Sequence, residues 1–280
     1  MLEYIVAVLA IASIIISTKR SAVITISSTL FVIFFIEIIM VLNGYSLYSV
    51  AFNPAEPDAL RFFTSMFTHA NAAHIIINVL VFLLVGIPLE DRDGNISILL
   101  YFLMGGIFGN MFYYFSHIGQ NSPVLGASGC IFGILGAFLI RYPNEEISMF
   151  LGFVFMRRVK AKYVILTMAI IETLATFLLT SDNIAHIAHI GGFIAGVFAG
   201  KLIPKEWERK SHADFSSLYD IAETEEDRAY VDRIMAEDDP MVRKVLIEKF
   251  LERKCKKYVI KRGYVICNGK KYKFHNLRRK

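Results

Sequence analysis

Residues 70–90 read ANAAHIIINVLVFLLVGIPLE, an apolar run of membrane-spanning length that nevertheless carries His74 and Asn78 near its start. About 20 apolar residues are needed to cross a hydrocarbon core of roughly 30 Å as a helix. Such runs recur, within a few residues, at 22–42, 70–89, 96–117, 126–141, 161–180 and 184–203. The 280 residues are 55% hydrophobic, with a mean hydropathy of +0.50. A soluble domain breaks its apolar runs far more often, so a large soluble core is excluded. The fold class reads as an all-α membrane bundle of six transmembrane helices spanning 22–203.

A shorter apolar run, Tyr4 to Ser17, precedes them. It follows Glu3 rather than a basic segment, Lys19-Arg20 comes after it, and no A-x-A cleavage signal follows. Residues 1–21 therefore read as one extra N-terminal helix and a basic loop. A cleaved or interfacial segment is the alternative. Lys19-Arg20, the cluster Arg157, Arg158, Lys160 and Lys162, and Lys201 with Lys205 all fall on one side when the spans alternate. The positive-inside rule makes that side cytoplasmic. The connections Asn43–Thr68, Ser116–Leu125 and Ser181–Asn183, poor in Lys and Arg, then lie outside. The 23 Phe and 13 Tyr, with one Trp, do not mark the interfaces sharply.

From Pro204 the composition turns soluble, so 204–280 reads as a small charged, cytoplasmic α+β tail. Helices are expected around Tyr219–Ala236 and over Met241–Lys254, where Pro240 suits a helix start. Alternating Tyr258-Val259-Ile260 and Tyr264-Val265-Ile266, with Asn268-Gly269 as a turn, predict a small hairpin. After Pro240 there are fifteen Lys and Arg against two Glu. Anionic lipid beside the tail explains that charge without nucleic acid. Cys130, Cys255 and Cys267 are too few for a disulfide framework and read as reduced thiols. Cys255, Cys267 and His275 lack the paired spacing of a zinc site.

An ionisable or strongly polar side chain inside a span is costly and marks a functional site by default. Three groups stand out. His74 and Asn78, one helical turn apart on one face, can both donate hydrogen bonds. They suit a developing oxyanion, or they glue helices together. Gly126-Ala127-Ser128-Gly129 opens the next span but one, after Pro123. The glycines leave the serine hydroxyl unobstructed at a helix N-terminus, although an ordinary N-cap serine has the same look. Ala188-His189-Ile190-Gly191-Gly192, followed by Gly196, places a histidine base on a helix whose small residues allow close packing. His186, one turn away, is a rival base. A metal site shared by His69, His74, His186 and His189 has no carboxylate or cysteine to complete it.

Taken in order, these motifs resemble the rhomboid family of intramembrane serine proteases over 22–203. His69-x4-His74-x3-Asn78 matches that family's second core helix, Gly126-x-Ser128-Gly129 the start of its fourth, and Ala188-His189-x-x-Gly192-x-x-x-Gly196 its sixth. Glu90-x-Arg92-x-Gly94 is similar to its E-x-R-x-G turn. The resemblance implies Ser128 as nucleophile and His189 as general base, a dyad with no acidic partner. It implies an oxyanion hole from His74, Asn78 and the Ser128 backbone N–H, with His69, Gly126, Gly129, Gly192 and Gly196 in supporting roles. Glu90 and Arg92 would hold a cytoplasmic turn. The glycine pattern selects His189 over His186, leaving His186 as a neighbour that lines the cavity.

It further implies an endopeptidase of the cell membrane, its site opening toward the outer side. No metal or other cofactor is implied. The partners would be the bilayer and transmembrane segments of protein substrates, with no nucleic acid. Two alternatives remain: a non-catalytic relative that binds membrane clients, and a transporter with a histidine proton relay.

Overall fold

The apolar runs become helices in a computed structural model, which describes residues 2–151, 154–178, 185–203, 213–237, 240–261, 264–273 and 275–276. They are α1 (Leu2–Ser17), α2 (Ala22–Leu42), the short α3 (Ala59–Thr64), α4 (Ala72–Asp93), α5 (Asn95–Ser116), α6 (Ser128–Arg141), α7 (Ala161–Leu178) and α8 (His186–Leu202). By length and composition α2, α4 and α5 are long enough to cross a membrane, while α1, α6 and α8 are shorter apolar helices. Three of the six expected spans thus meet that length among the described residues, and α6, α7 and α8 lie where the other three are expected. The expected loop Ser181–Asn183, the span start at 184, and Pro204 with Lys205 lie outside the described residues.

Capping chemistry sets the boundaries. Asn71 accepts the His74 N–H at 2.9 Å, which starts α4 two residues later than the hydropathy suggests. At its other end α4 runs through Pro88 to Asp93, where Glu90, Arg92 and Asp93 each find a partner. Glu90 accepts from Ser21 Oγ at 2.5 Å and from the Ala22 and Val23 N–H groups. A carboxylate from α4 thereby satisfies orphan donors at the positive end of α2. Arg92 pairs with Glu145 at 2.9 Å. Asp93, fully buried, accepts from Tyr101 Oη at 2.8 Å and Tyr142 Oη at 2.6 Å, and lies 2.5 Å from Arg141 Nε. Arg141 donates onward to the carbonyls of Gly200 at 2.7 Å and Ile203 at 3.0 Å. One polar knot therefore joins the same end of α4, α5, α6 and α8.

The core centres on α6, which is buried continuously from Gly129 to Phe138. It lies between α5 and α8 at distances that only glycine permits. A Cβ at Gly133 would sit 2.6 Å from Gly105 Cα, and one at Gly196 would run into the carbonyl of Gly133. Such backbone-to-backbone contact is how helices associate in lipid, where burial of apolar side chains offers no net drive.

Between α6 and α7 the chain is not a plain loop. Strands β1 (Glu146–Leu151) and β2 (Val154–Lys160) pair antiparallel, with an irregularity between Ile147 and Met149. This corrects the all-α expectation for the first unit. The segment's β-branched and aromatic residues favour a pleated surface.

The chain divides into two compact units, Met1–Ile203 and Pro204–Lys280. In the second, β3 (Ala213–Asp214) pairs with β7 (His275–Asn276), and α9 (Glu225–Ala236) and α10 (Pro240–Lys254) pack on a three-stranded antiparallel sheet. That sheet is β4 (Tyr258–Lys261), β5 (Tyr264–Cys267) and β6 (Lys270–Lys273), one strand more than the expected hairpin. Asn268 (φ 50°) and Gly269 (φ 85°) form the turn into β6, the left-handed pair that tight hairpins favour. Helix α9 begins later than expected because Thr224 and Asp227 cap it reciprocally. Asp227 also meets Lys254 Nζ at 2.8 Å, and that ammonium holds its carboxyl below the usual range. Leu218, Val231, Ile234, Phe250, Leu251 and Val265 form the core. The reduced-thiol expectation fails for two cysteines: Cys255, after α10, is disulfide-bonded to Cys267 at the end of β5, their Cα atoms 5.4 Å apart. Helix and strand bring together residues whose separation of 12 in sequence had no recognisable spacing.

The glycine contacts predict a contrast. Gly196→Ala should lower the thermal unfolding midpoint in detergent, at an overpacking cost of about 1–3 kcal/mol. Gly129→Ala should be tolerated, since a Cβ there meets nothing nearer than 3.7 Å. Circular-dichroism melts that show equal midpoints would remove glycine contact as the determinant of this packing.

Candidate active site

The site is assembled from the start of α4, the loop before α6, and the start of α8. His69 is fully buried just ahead of α4, and His74 and Asn78 occupy successive turns of the helix. Asn78 is buried, and its Nδ2 makes no hydrogen bond. A buried donor without a partner is costly. Gly126 donates its N–H to Ser65 O at 2.8 Å and has φ +133°. Glycine is required there twice over. The backbone conformation disfavours any side chain, and a Cβ would lie 2.7 Å from His74 Cε1 and 2.9 Å from its Nε2. Ser128 Oγ is 3.7 Å from that same point, so the imidazole and the hydroxyl border one space. The His69 ring crosses that of His74 edge-on at 5.1 Å, and its Nε2 faces the Ala127 N–H at 3.5 Å.

Ser128 is the first residue of α6. The N-cap position falls to Ala127, which offers no side-chain bond. The N-cap reading of Ser128 therefore fails. Its Oγ instead lies 2.8 Å from His189 Nε2. Gly192 allows this approach, since a Cβ there would strike the Gly129 carbonyl, whereas Gly129 itself is not sterically required. Phe132, one turn along α6 from Ser128, stacks on His189 with ring centroids 4.6 Å apart and planes 8° apart. The stack fixes the plane of the imidazole. His189, rather than His186, is thus the ring that meets the serine.

Two acidic residues escaped the sequence analysis. The expectation of a histidine without an acidic partner is corrected by Glu172 on α7, whose Oε2 is 2.7 Å from His189 Nδ1 and 2.6 Å from His186 Nδ1. The statement that no carboxylate accompanies the histidines is corrected with it: Glu172, His186 and His189 are grouped closely enough to be weighed as metal ligands. The distances argue otherwise. Tetrahedral ligands about 2.1 Å from zinc stand roughly 3.4 Å apart, whereas these atoms touch at hydrogen-bond length. Glu37, buried in α2, accepts the His69 N–H at 3.3 Å. The rule that singled out His74, a costly polar group within an apolar run, applies equally to Glu37 and Glu172 and would have found both.

The fold is that of a multi-pass membrane protein in which a serine hydroxyl meets a histidine nitrogen inside a bundle of apolar helices. A family model described as the rhomboid domain matches residues 56–206, more than half of the chain. The chain belongs to the rhomboid family. It is 33% identical over 146 residues to Rhomboid protease GluP of Bacillus subtilis, covering 52% of this chain and 26% of that protein. It is 30% identical over 143 residues to RHOMBOID-like protein 1 of Arabidopsis thaliana, covering 51% and 34%. Inactive RHOMBOID-like protein 8 of the same plant is 29% identical over 135 residues, covering 48% and 35%. The chain thus spans only about a quarter to a third of the length of these relatives.

Because Gly126 holds both the loop conformation and the space for the His74 ring, Gly126→Ala should leave the fold intact yet slow fluorophosphonate labelling of Ser128 by about 10²-fold, as misplacement by an ångström does. Labelling at the wild-type rate would show that this loop does not control the serine.

Proposed function

We propose that the protein is an intramembrane serine endopeptidase that hydrolyses peptide bonds in or near transmembrane segments of other membrane proteins. The reading is carried by the 2.8 Å contact of Ser128 Oγ with His189 Nε2. Ser128 Oγ attacks the scissile carbonyl while His189 Nε2 takes its proton. The carbonyl oxygen becomes an oxyanion, facing donors from His74, Asn78 and the Ser128 backbone N–H. The leaving amine receives the proton from His189, and water then hydrolyses the acyl-enzyme by the same route. Substrate helices must unwind to present an extended bond, so helix-weakening residues near the cut favour cleavage. The relative named inactive gives weight to a client-binding reading. Retention of both Ser128 and His189 in hydrogen-bond contact supports the peptidase.

The expected outcome is cleavage of a model transmembrane substrate by the purified protein, abolished by Ser128→Ala and by His189→Ala with the fold intact. Asn78→Ala should lower kcat by about 10²-fold, the loss typical of a single oxyanion donor. Cleavage by Ser128→Ala at the wild-type rate would overturn the assignment.

We also propose, from the distribution of Lys and Arg, that the tail faces the cytoplasm and that the site opens on the other side. This puts the Cys255–Cys267 bond where disulfides are rare, which makes the orientation sharply testable. After reduction by a membrane-impermeant phosphine, an impermeant maleimide should label these cysteines only in permeabilised cells. Labelling in intact cells would place the tail outside.

A further inference from the structure

We propose that Glu172 is a positioning residue of the reaction, so that the centre is a Ser128–His189–Glu172 triad rather than a dyad. The inference rests on the serine-peptidase reading above and adds to it a third member from α7. A general base is competent only if the nitrogen facing the serine is unprotonated. A neutral imidazole carries its proton on one nitrogen, and the hydrogen bond made by the other nitrogen decides which. Here the two nitrogens of His189 face chemically different partners. Nε2 faces Ser128 Oγ at 2.8 Å, a group that can donate, and Nδ1 faces Glu172 Oε2 at 2.7 Å. A carboxylate only accepts. Nδ1 must therefore hold the proton, which leaves the Nε2 lone pair on the serine hydroxyl.

The two constraints on the ring are complementary. Phe132, stacked at 8°, fixes its plane, and Glu172 fixes its rotation within that plane. His186 places its own Nδ1 2.6 Å from the same Oε2, so the carboxylate is held by two imidazoles one turn apart on α8. When Ser128 attacks, its proton moves to Nε2, and Nδ1 keeps its own proton. The imidazolium then stands against a fixed negative group in surroundings of low dielectric, where that attraction is stronger than in water. No proton passes to Glu172, so the carboxylate is unchanged at the end of the cycle. His74 on α4 and His186 on α8 are the other titratable groups close to this ring.

Full-length protein in proteoliposomes tests this. Nitrogen NMR of the histidine-labelled wild type, with His189 assigned by its loss in His189→Gln, should show the Nδ1–H form. Glu172→Leu, a substitution that an apolar span accommodates, should shift His189 toward Nε2–H. It should also lower kcat by about 10²-fold or more, the scale of a lost general base, with KM changed less than about twofold. Glu172→Gln retains an acceptor oxygen and should recover part of kcat. A wild-type His189 protonated on Nε2, or a Glu172→Leu enzyme with wild-type kcat, would overturn the triad while leaving the serine assignment standing. If the wild type itself neither labels nor cleaves, the peptidase reading fails instead, and the NMR signature still decides whether Glu172 sets the tautomer.

Discussion

Backbone contact between α6 and its two neighbours is the constraint on which everything else hangs. Lipid tails are as apolar as leucine, so membrane helices gain little by burying hydrophobic side chains against each other. Dispersion between closely packed backbones takes that role, and it requires the absence of Cβ atoms. Gly105, Gly133 and Gly196 supply this at successive levels: the Cβ of each would collide with backbone of a neighbouring helix. Because α6 begins at Ser128 and α8 carries His189 near its start, the same contact also sets the distance between hydroxyl and imidazole. The hydrogen bond is a consequence of the packing.

Polar groups at the two ends of the bundle have different fates. At the end holding Asp93, the charges of Glu90, Arg92, Asp93 and Arg141 each have a partner. Asp93 is surrounded by Tyr101, Tyr142 and Arg141, and Arg141 satisfies the last carbonyls of α8. Such a network rigidifies, because each member is costly without the others. At the other end Asn78 Nδ2 lacks a partner, and the Ser128 hydroxyl spends itself on a histidine rather than on capping its own helix. The unpaired Asn78 amide and the serine–histidine contact are the features on which the proposed oxyanion stabilisation rests.

The site was legible where a single residue departed from its local pattern. His74 and Asn78 interrupt an apolar run, Gly126 flanks a serine at a span entry, and Gly192 and Gly196 follow His189 at helix-contact spacing. Glu172 interrupts its run just as plainly, but no motif names it, and its relation to His189 depends on the rotation of α7, which hydropathy does not encode. The β1–β2 hairpin escaped because residues 149–156 are almost continuously apolar and show no alternation. The Cys255–Cys267 pair escaped because disulfide partners are set by how a helix end and a strand meet.

By itself the sequence determined that the chain is a membrane protein and roughly where each helix lies, and its motifs pointed to Ser128, His189, His74 and Asn78 as candidates for one site. Hydropathy and residue spacing are local quantities, and those conclusions are local or rest on ordered motifs. Only the tertiary structure decided that Ser128 heads α6 without capping it, that His189 Nε2 lies in hydrogen-bond contact with it, and that a carboxylate from α7 stands behind the imidazole. Each of these depends on how one helix is rotated against another. In lipid that rotation is set by backbone fit between helices distant in sequence, a property no single segment carries.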